Sequence, residues 1–358
     1  MDVVRWQPGR SDQSKQSRVK GSVVEMVSII IPVYNGQYYI QSIVDDFARQ
    51  VYKDFELVFV NDGSTDDSLK YLQACQEESQ MRIRLVDQSN QGVSSARNAG
   101  IAEARGDWLC FVDVDDSVAD TYLSDMFSVI TKEDVQMVFC RYELVRSLSD
   151  RETHENTDTG ATVVVDRLTC LRDFLYGRLR SGCWSLMVKA EILKAHHLEF
   201  AAGYRYSEDI HWVWRAITNC THVAYLDATL YYYVERSGSA MSKSDESRLD
   251  GYRLMKSLES YFDNVDAEFS GEFRRYGAAR MMWSIVWQAS IHCDTNCYLA
   301  FIRQHHARAE LGRLLMFPDF RVAASSCAFL ISPRMFRFVA SVFGRKYVHG
   351  EQVRTWHT

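Results

Sequence analysis

The sequence predicts an α/β fold in which a doubly wound, mostly parallel sheet is followed by a helical C-terminal region. Short apolar runs of five or six residues recur through the first 140 residues and indicate buried strands. The stretches between these runs carry apolar residues at helical spacing. Strands that alternate with helices form a right-handed parallel sheet, and from about residue 246 only the helical spacing remains.

Each predicted element depends on its own apolar pattern. The predicted strands cover residues 27–31, 55–60, 81–86, 108–112 and 135–140. The predicted helices cover residues 40–51, 69–75, 94–104, 123–130 and 210–217. In such a sheet, ligands bind beyond the carboxyl ends of the strands, so polar residues at those ends are the first candidates for a functional site.

Three polar clusters follow predicted strands: Pro32–Asn35, Asn61–Ser64 and Asp113–Asp116. Carboxylates that crowd together where a strand ends repel one another, and a shared divalent cation relieves that repulsion. Taken by itself, Asp113–Asp116 is equally well explained as an acidic turn that caps the next helix. The convergence of three clusters at one sheet edge favours a ligand site. Because the chain has neither a G-x-G-x-x-G motif nor a P-loop, a metal is the expected phosphate holder.

The clusters belong to four longer segments: SIIIPVYN (28–35), VNDGSTD (60–66), GVSSARNAG (92–100) and FVDVDD (111–116). In this order and spacing they resemble glycosyltransferase family 2, whose members are inverting enzymes with the Rossmann-like GT-A fold. The resemblance is strongest over 27–117 and extends more loosely to about 242. It implies a nucleotide-sugar-binding half (26–117) and an acceptor half (118–242) of one catalytic domain (26–242), then a helical, basic region (243–358).

The resemblance implies a nucleotide-diphospho-sugar donor, most often a UDP-sugar, and suggests which residues contact it. Pro32 and Tyr34 would line the pocket for the base, and Asp62 would accept a hydrogen bond from the base. Arg97 would lie near the nucleotide. The alternative for Tyr34 is ordinary packing at the strand end, and the alternative for Arg97 is a helix-surface ion pair.

The resemblance also implies Mg²⁺ or Mn²⁺ as cofactor. Asp115 would be the metal ligand of the D-x-D motif, Asp113 would contact the ribose or the metal, and Asp116 would have a supporting role. A bound divalent cation stabilises the negative charge that develops on a departing diphosphate. Magnesium is commonly held by one or two carboxylates and completed by substrate phosphates, so this motif suits the chemistry.

Inversion at the anomeric carbon requires a base that takes the proton of the acceptor hydroxyl, as in inverting glycosidases. The family supplies this base from an E-D pair, which SEDIHW (207–212) matches. Asp209 is the predicted base, and Glu208 is its neighbour or an acceptor contact. One alternative is that Ser207 caps a helix whose dipole the two carboxylates favour. Another is that His211 is the base.

Two further candidates lie in the second half. Tyr231–Ser239 resembles the family's Tyr-x-x-Arg-x-x-Ser segment, in which Arg236 would clamp the diphosphate, although Glu235 departs from the family pattern. Trp184 is a candidate aromatic contact for the acceptor, and its alternative is ordinary packing.

Composition and charge narrow the remaining classes of function. The chain of 358 residues has a formal net charge of -6, which argues against nucleic-acid binding. No apolar run is long enough for a membrane span, and residues 1–25 are polar and predicted to be disordered. The nine cysteines form no C-x-x-C pair, which favours a reducing, cytoplasmic location.

The C-terminal region differs in charge from the rest of the chain. From Arg274 onward there are 12 Lys or Arg against 4 Asp or Glu, a net charge of +8. Large apolar residues from Met335 to Phe343 alternate with Arg and Lys, which predicts a basic amphipathic helix. Such a helix favours peripheral contact with the inner face of the cell membrane. The alternative is a helix that packs within the chain or forms a homodimer.

We therefore predict an inverting glycosyltransferase that adds one sugar to a glycan or lipid-linked saccharide in bacterial surface polysaccharide synthesis. A processive synthase is disfavoured because the chain lacks Q-x-x-R-W and spanning helices. A nucleotidyltransferase on a related sheet is one alternative, but it would need a Gly-rich, basic first loop. A nucleotide-sugar-binding module without catalysis is another, and the intact Asp113, Asp115 and Asp209 disfavour it.

Overall fold

The computed structural model describes residues 25–147, 159–235, 246–305 and 307–348. The first part of the chain alternates strands and helices as the sequence predicts. Its elements are β1 (Val27–Val33), α1 (Ile40–Ala48), β2 (Phe55–Asp62), α2 (Ser68–Glu78), β3 (Arg82–Gln88), α3 (Val93–Glu103) and β4 (Trp108–Phe111). All of the predicted N-terminal tail except Glu25 lies outside the described residues.

The following part of the chain adds strands to the same sheet. Its elements are β5 (Ser117–Val118), α4 (Tyr122–Lys132), β6 (Met137–Val145), β7 (Thr162–Asp166), α5 (Arg167–Tyr176), β8 (Leu186–Lys189), α6 (Ala190–Ala195), α7 (Glu208–Thr218) and β9 (His222–Val234). The helices predicted from apolar spacing at 123–130 and 210–217 correspond to α4 and α7, so both predictions are confirmed.

Within the described residues, nine strands form one sheet in the order β3-β2-β1-β4-β8-β6-β9-β5, and β7 pairs with β9. The strands β1 to β4 are parallel, and so are β6 and β9. The strand β8 is antiparallel to β4 and β6, and both β5 and β7 are antiparallel to β9. The predicted α/β fold is confirmed, with antiparallel pairs concentrated in its second half. The turns after β1, β2 and β4 lie at one edge, where ligands bind in such sheets.

Both faces of the sheet are covered, which explains the continuous apolar runs. Ile30 packs into one core with Ala96 of α3, whereas Ile29 and Ile31 pack into the other core with Phe47 of α1. A parallel strand between two helical layers needs apolar side chains at every position.

The C-terminal region is helical, as its spacing predicts. Its helices are α8 (Leu249–Val265), α9 (Ala267–His292), α10 (Thr295–Gln304), α11 (Ala307–Arg313), α12 (Phe320–Ile331) and α13 (Pro333–Val348). Its core continues into that of the sheet, because Trp214 of α7 packs against Phe262, Phe269 and Phe273. In the described ranges, no helix combines the length and the hydropathy that a membrane span requires.

Candidate active site

The turns after β1 and β2 are joined by hydrogen bonds. Asn35, whose backbone is left-handed (φ 53°), donates its N–H to Ser64 Oγ at 3.0 Å. Its Oδ1 accepts from the Thr65 N–H at 2.7 Å, and the Gly36 N–H donates to Ser68 Oγ at 2.9 Å. Asn tolerates a left-handed backbone better than most residues do, so it suits the point where the two turns meet. Two separate sequence motifs therefore form one continuous rim.

The predicted base-pocket residues differ in exposure. Pro32 is buried within β1, whereas Tyr34 lies just past the strand end with 53% of its surface exposed, so part of its ring is accessible. Asp62 is buried, and its carboxylate accepts from the Gln91 N–H at 2.9 Å and the Gly92 N–H at 2.8 Å. Asp62 thus ties the end of β2 to the start of α3. Its hydrogen bond to a base remains a prediction.

The acidic turn after β4 contains one structural carboxylate and two that are only half-buried. Asp116 is buried and accepts from Tyr231 Oη at 2.6 Å and from the Val234 N–H at 2.9 Å. Burial and the nearby charge of Asp113 raise the pKa of Asp116 well above its ordinary value. Asp116 therefore attaches the turn to β9, and Asp113 and Asp115 are the members that remain partly accessible.

Arg97 joins the acidic turn to the start of α7. It is only 4% exposed; its Nη2 donates to Asp113 Oδ1 at 2.9 Å, and its Nη1 donates to Glu208 Oε1 at 3.1 Å. The guanidinium also lies over the Phe200 ring, 5.3 Å from the centroid. A planar guanidinium can pair with two carboxylates at once, and a buried position strengthens both contacts. The alternative of a helix-surface ion pair is wrong, because Arg97 is buried and its partners belong to other elements.

The E-D pair occupies the first turn of α7, where its negative charge suits the helix dipole. Ser207 precedes it with a left-handed backbone (φ 64°), and its side chain makes no capping hydrogen bond. The alternative in which the Ser207 side chain caps α7 is therefore wrong. The Ser207 hydroxyl is instead 4.0 Å from Met281 Sδ of α9, so packing against the helical region decides its direction.

Burial increases the proton affinity of both carboxylates. The pKa of Glu208 is raised to about 7 by burial and by the charge of Asp209, against the opposing effect of Arg97. Burial also raises the pKa of Asp209, and Arg97 limits the increase. A carboxylate with a pKa nearer neutrality is the better base at physiological pH. The pKa of His211 is instead lowered to about 4 by burial and by Arg215, so its imidazole is neutral and weakly basic.

Trp184 lies beside the predicted base. A Cβ atom on Gly182 would be 2.4 Å from Trp184 Nε1 and 2.9 Å from Asp209 Oδ2, so the indole and the carboxylate face the same small space. The indole also packs against Tyr142 and Tyr233, with ring centroids 4.5 and 5.9 Å away. Trp184 is half-buried, so part of the ring is accessible. Its acceptor role remains a prediction beside this packing role.

Two tyrosines of β9 lie at the candidate site, and both belong to the Tyr231–Ser239 segment, in which the sequence analysis assigned a role only to Arg236. Tyr231 is fully buried, donates to Asp116 and accepts from the Asp113 N–H at 3.3 Å. Burial, the acidic turn and Asp209 all raise the pKa of Tyr233, so its hydroxyl lies in the field of these carboxylates. The period of two along a strand could have identified the pair, since residues two apart share one face of a strand.

The acidic turn fits a divalent cation that a substrate completes. Among the described residues, no three His, Cys, Asp or Glu side chains converge in a way that could hold a metal. Asp113 and Asp115 both raise the pKa of Asp116, so negative charge is concentrated in this turn. Carboxylate oxygens are the ligands that Mg²⁺ and Mn²⁺ prefer, and donor phosphates and water would complete the coordination. Arg236, the predicted diphosphate clamp, lies outside the described residues.

The fold and the site together define the GT-A class, and solved structures agree on the fold. A crystal structure of Staphylococcus aureus TarS 1-349 in complex with UDP-GlcNAc matches with a TM-score of 0.63 at 20% identity, covering 90% of this chain and 92% of that one. The mannosyltransferase PcManGT from Pyrobaculum calidifontis, in complex with GDP-Man and Mn²⁺, matches with a TM-score of 0.54 at 15% identity, covering 89% and 86%. At these identities the likeness establishes the fold alone.

Sequence comparison points to one family for the first half of the chain. Residues 28–183 match the sequence profile of glycosyl transferase family 2. The uncharacterised glycosyltransferase EpsJ of Bacillus subtilis is 30% identical over 220 residues, which are 61% of this chain and 63% of EpsJ. TarS, named as a poly(ribitol-phosphate) beta-N-acetylglucosaminyltransferase, is 23% identical over 245 residues, which are 67% of this chain and 41% of TarS. The chain spans less than two thirds of the length of these two relatives. Over residues 28–183 the chain therefore matches glycosyltransferase family 2, as its motifs predict.

Proposed function

We propose that the chain is an inverting glycosyltransferase that moves one sugar from a nucleotide-diphospho-sugar, in particular a UDP-sugar, to a saccharide acceptor. The buried Arg97 bridge carries this proposal, because one side chain binds Asp113 of the donor motif and Glu208 beside the predicted base. Sugar transfer requires donor and base to meet with little freedom of orientation. A rigid ionic link between their two motifs meets that requirement.

The proposed donor site is the rim formed by the turns after β1, β2 and β4. Tyr34 is exposed at this rim and offers an aromatic face to a base, with Pro32 and Asp62 beside it. Arg236 is the proposed clamp on the diphosphate. Relatives in complex with UDP-GlcNAc, UDP and GDP-Man support a nucleotide-sugar donor. The greater likeness to TarS favours UDP.

Asp115, together with Asp113, is proposed to hold Mg²⁺ or Mn²⁺. When bound, such a cation stabilises the charge on the departing diphosphate. Arg97 contributes by fixing the orientation of the Asp113 carboxylate through their 2.9 Å hydrogen bond. The GT-A neighbour described with Mn²⁺ supports the choice of cation.

Asp209 is the proposed general base. Its carboxylate takes the proton of the acceptor hydroxyl while the hydroxyl oxygen attacks the anomeric carbon from the face opposite the diphosphate. The bond from the anomeric carbon to the diphosphate oxygen breaks, and the diphosphate leaves with the electron pair. A single displacement of this kind inverts the configuration. The burial that raises the pKa of Asp209 favours proton acceptance.

The proposed acceptor is a glycan or a lipid-linked saccharide used in the cytoplasm for bacterial surface polysaccharide synthesis. Trp184 and Tyr233 support a saccharide acceptor, since they offer aromatic surface near Asp209. The polymer named in the description of TarS supports a surface polymer as the product class.

A nucleotide-sugar-binding module without catalysis is the second candidate, because the donor rim by itself would be enough for binding. The buried E-D pair disfavours it. Such a module has no use for two carboxylates whose pKa values burial raises, and that burial is costly to maintain.

The base assignment is tested by Asp209→Asn, with Asp115→Ala as its matched contrast. An amide keeps the shape of the side chain but cannot accept the proton, so donor binding should persist while transfer falls by about 10²–10⁴-fold. Asp115→Ala should instead lose the Mn²⁺-dependent part of donor binding. Calorimetric titration with a panel of nucleotide sugars, combined with measurement of nucleotide release in the presence of saccharide acceptors, separates the two effects.

Three outcomes contradict this assignment. Near-normal turnover by Asp209→Asn would locate the base elsewhere. Unchanged Mn²⁺-dependent binding by Asp115→Ala would remove Asp115 from the metal site. Tight donor binding by the unmodified chain, without turnover on any acceptor tested, would favour the binding module.

A further inference from the structure

The helices α12 and α13 form a hairpin whose inner face is firmly packed. They meet at Ser332, and Phe329 and Phe336 are fully buried between them with ring centroids 5.4 Å apart. Trp287 of α9 contacts Phe336 at 5.5 Å, and Trp283 Nε1 of the same helix donates to Ser325 Oγ at 2.9 Å. The hairpin is therefore anchored to the helical core through this face.

Both helices carry exposed apolar residues at helical spacing, which together we call the hairpin stripe. Its members are exposed and follow each other at intervals of three or four residues: Phe320, Ala324, Cys327, Ile331, Met335, Phe338 and Val342. Three of its large side chains, Phe320, Ile331 and Phe338, are 80%, 71% and 69% exposed. Exposed apolar side chains grouped in this way mark an interaction surface.

The charge beside the hairpin stripe is mainly positive, although Asp319 at the start of α12 pairs with Arg321 at 3.2 Å. From Phe320 to Val348 the sequence contains four Arg, one Lys and no Asp or Glu. Arg334 is exposed next to Met335, whereas Arg337 is held by the fold through its bond to Cys293 O at 2.8 Å. Exposed apolar residues bordered by an excess of cations suit a helix that lies in the interface of an anionic bilayer.

A second copy of this chain fits the hairpin stripe less well. In a symmetric dimer the same surface meets itself, so the cations that border the stripe would face one another. Like charges across an interface are destabilising. Anionic lipid headgroups would neutralise the same cations, and the acyl chains would cover the aromatic side chains.

We propose that the hairpin stripe docks on the surface of an anionic phospholipid bilayer. Phe320, Ile331 and Phe338 insert among the upper acyl chains, and Arg334 contacts the lipid phosphates. The helices lie along the surface and do not cross it. This proposal does not depend on the proposed sugar transfer, because vesicle binding is measured without a donor or an acceptor.

Vesicle flotation of the full chain tests the proposal. The chain should float with vesicles of phosphatidylglycerol and phosphatidylcholine in equal parts, and it should stay behind with phosphatidylcholine only. Rising salt should weaken the binding, since it screens the surface potential. The double variant Phe320→Ser, Phe338→Ser should lower the partition coefficient by about tenfold or more. The control Tyr71→Ser removes an aromatic residue that is 52% exposed on α2, and it should leave the binding unchanged.

Equal binding by the double variant and the unmodified chain would overturn the proposal, and so would failure of the unmodified chain to float. Sedimentation equilibrium without vesicles tests the alternative that a second copy of this chain covers the hairpin stripe. A dimer that dissociates in the double variant, without vesicle binding, would assign the stripe to a second copy.

Because the replaced side chains are exposed, both variants should keep the melting temperature of the unmodified chain, so a loss of binding would not reflect unfolding. Arg334→Gln offers an independent check, since it should weaken binding to the anionic vesicles.

Discussion

Arg97 is the residue on which the arrangement of the candidate site depends most. A buried guanidinium needs negative partners, and the carboxylates beside it need a cation, so each offsets the desolvation of the other. The partners Asp113 and Glu208 come from the donor motif and from the E-D pair, which are far apart in sequence. One side chain thus orients a carboxylate in each of the two motifs that the proposed transfer requires.

The variant Arg97→Lys should lower transfer by about 10²-fold, because a small misplacement of reacting groups costs about that much. Lysine keeps the charge but lacks the planar fork, so it cannot hold both carboxylates in the same geometry. Initial rates over a range of donor concentrations measure the effect. The control is Arg84→Lys, which alters the ion pair between Arg84 and Glu56 at 3.5 Å near the amino end of β2. Equal losses in both variants would contradict a specific role for Arg97.

At the scale of elements, the start of α7 shows how neighbouring helices fix a functional turn. Gly251 allows α8 to approach closely, since a Cβ there would lie 2.7 Å from Ser207 Oγ. Asp250 of the same helix accepts from the Arg205 N–H at 3.1 Å. These contacts hold the turn in its left-handed conformation without a side-chain cap. The E-D pair is therefore positioned by α8 as well as by α7 itself.

The absence of a capping bond at Ser207 has a measurable consequence. Ser207→Ala should change the free energy of unfolding by less than about 0.5 kcal/mol, because no capping hydrogen bond is lost. The matched comparison is Asp166→Ala at α5, where the Asp166 carboxylate accepts from the Thr169 N–H at 2.9 Å. Loss of that cap should cost about 1 kcal/mol. Urea unfolding followed by circular dichroism measures both, and similar costs at the two positions would show that Ser207 does cap α7 in solution.

At the scale of the whole molecule, the sheet and the helical region share one core. Trp214 of α7 lies among Phe262, Phe269 and Phe273, at centroid distances of 6.0, 5.9 and 5.1 Å. The same continuous core extends from Ile30 in β1 to Ala340 in α13. The helical region is therefore a structural support for the site as well as the carrier of the hairpin stripe.

A shared core predicts that damage in the helical region destabilises the sheet too. Phe273→Ala should lower the free energy of unfolding by about 3–5 kcal/mol, since it removes a fully buried aromatic ring. Tryptophan fluorescence and circular dichroism should report one common transition. Phe338→Ala is the control, and its exposed side chain should change stability by less than about 0.5 kcal/mol. Two separated transitions would show that the helical region unfolds as an independent unit.

The sequence by itself determined the strands, the helices and the motifs of this protein, because the patterns that predict them are local. The buried strands follow from continuous apolar runs, and the helices follow from their spacing. The motifs at 28–35, 60–66, 92–100 and 111–116 lie within the region that matches the family, and the E-D pair lies at the predicted helix start. Each of these signals is contained in a short stretch of chain whose chemistry does not depend on distant residues.

Only the tertiary structure decided which polar groups meet. It pairs Arg97 with Asp113 and Glu208, attaches Asp116 to Tyr231, and leaves Ser207 without a capping bond. The physical reason is that ion pairs and buried hydrogen bonds depend on the distance and burial of groups from remote parts of the chain. Sequence patterns carry no direct record of either quantity.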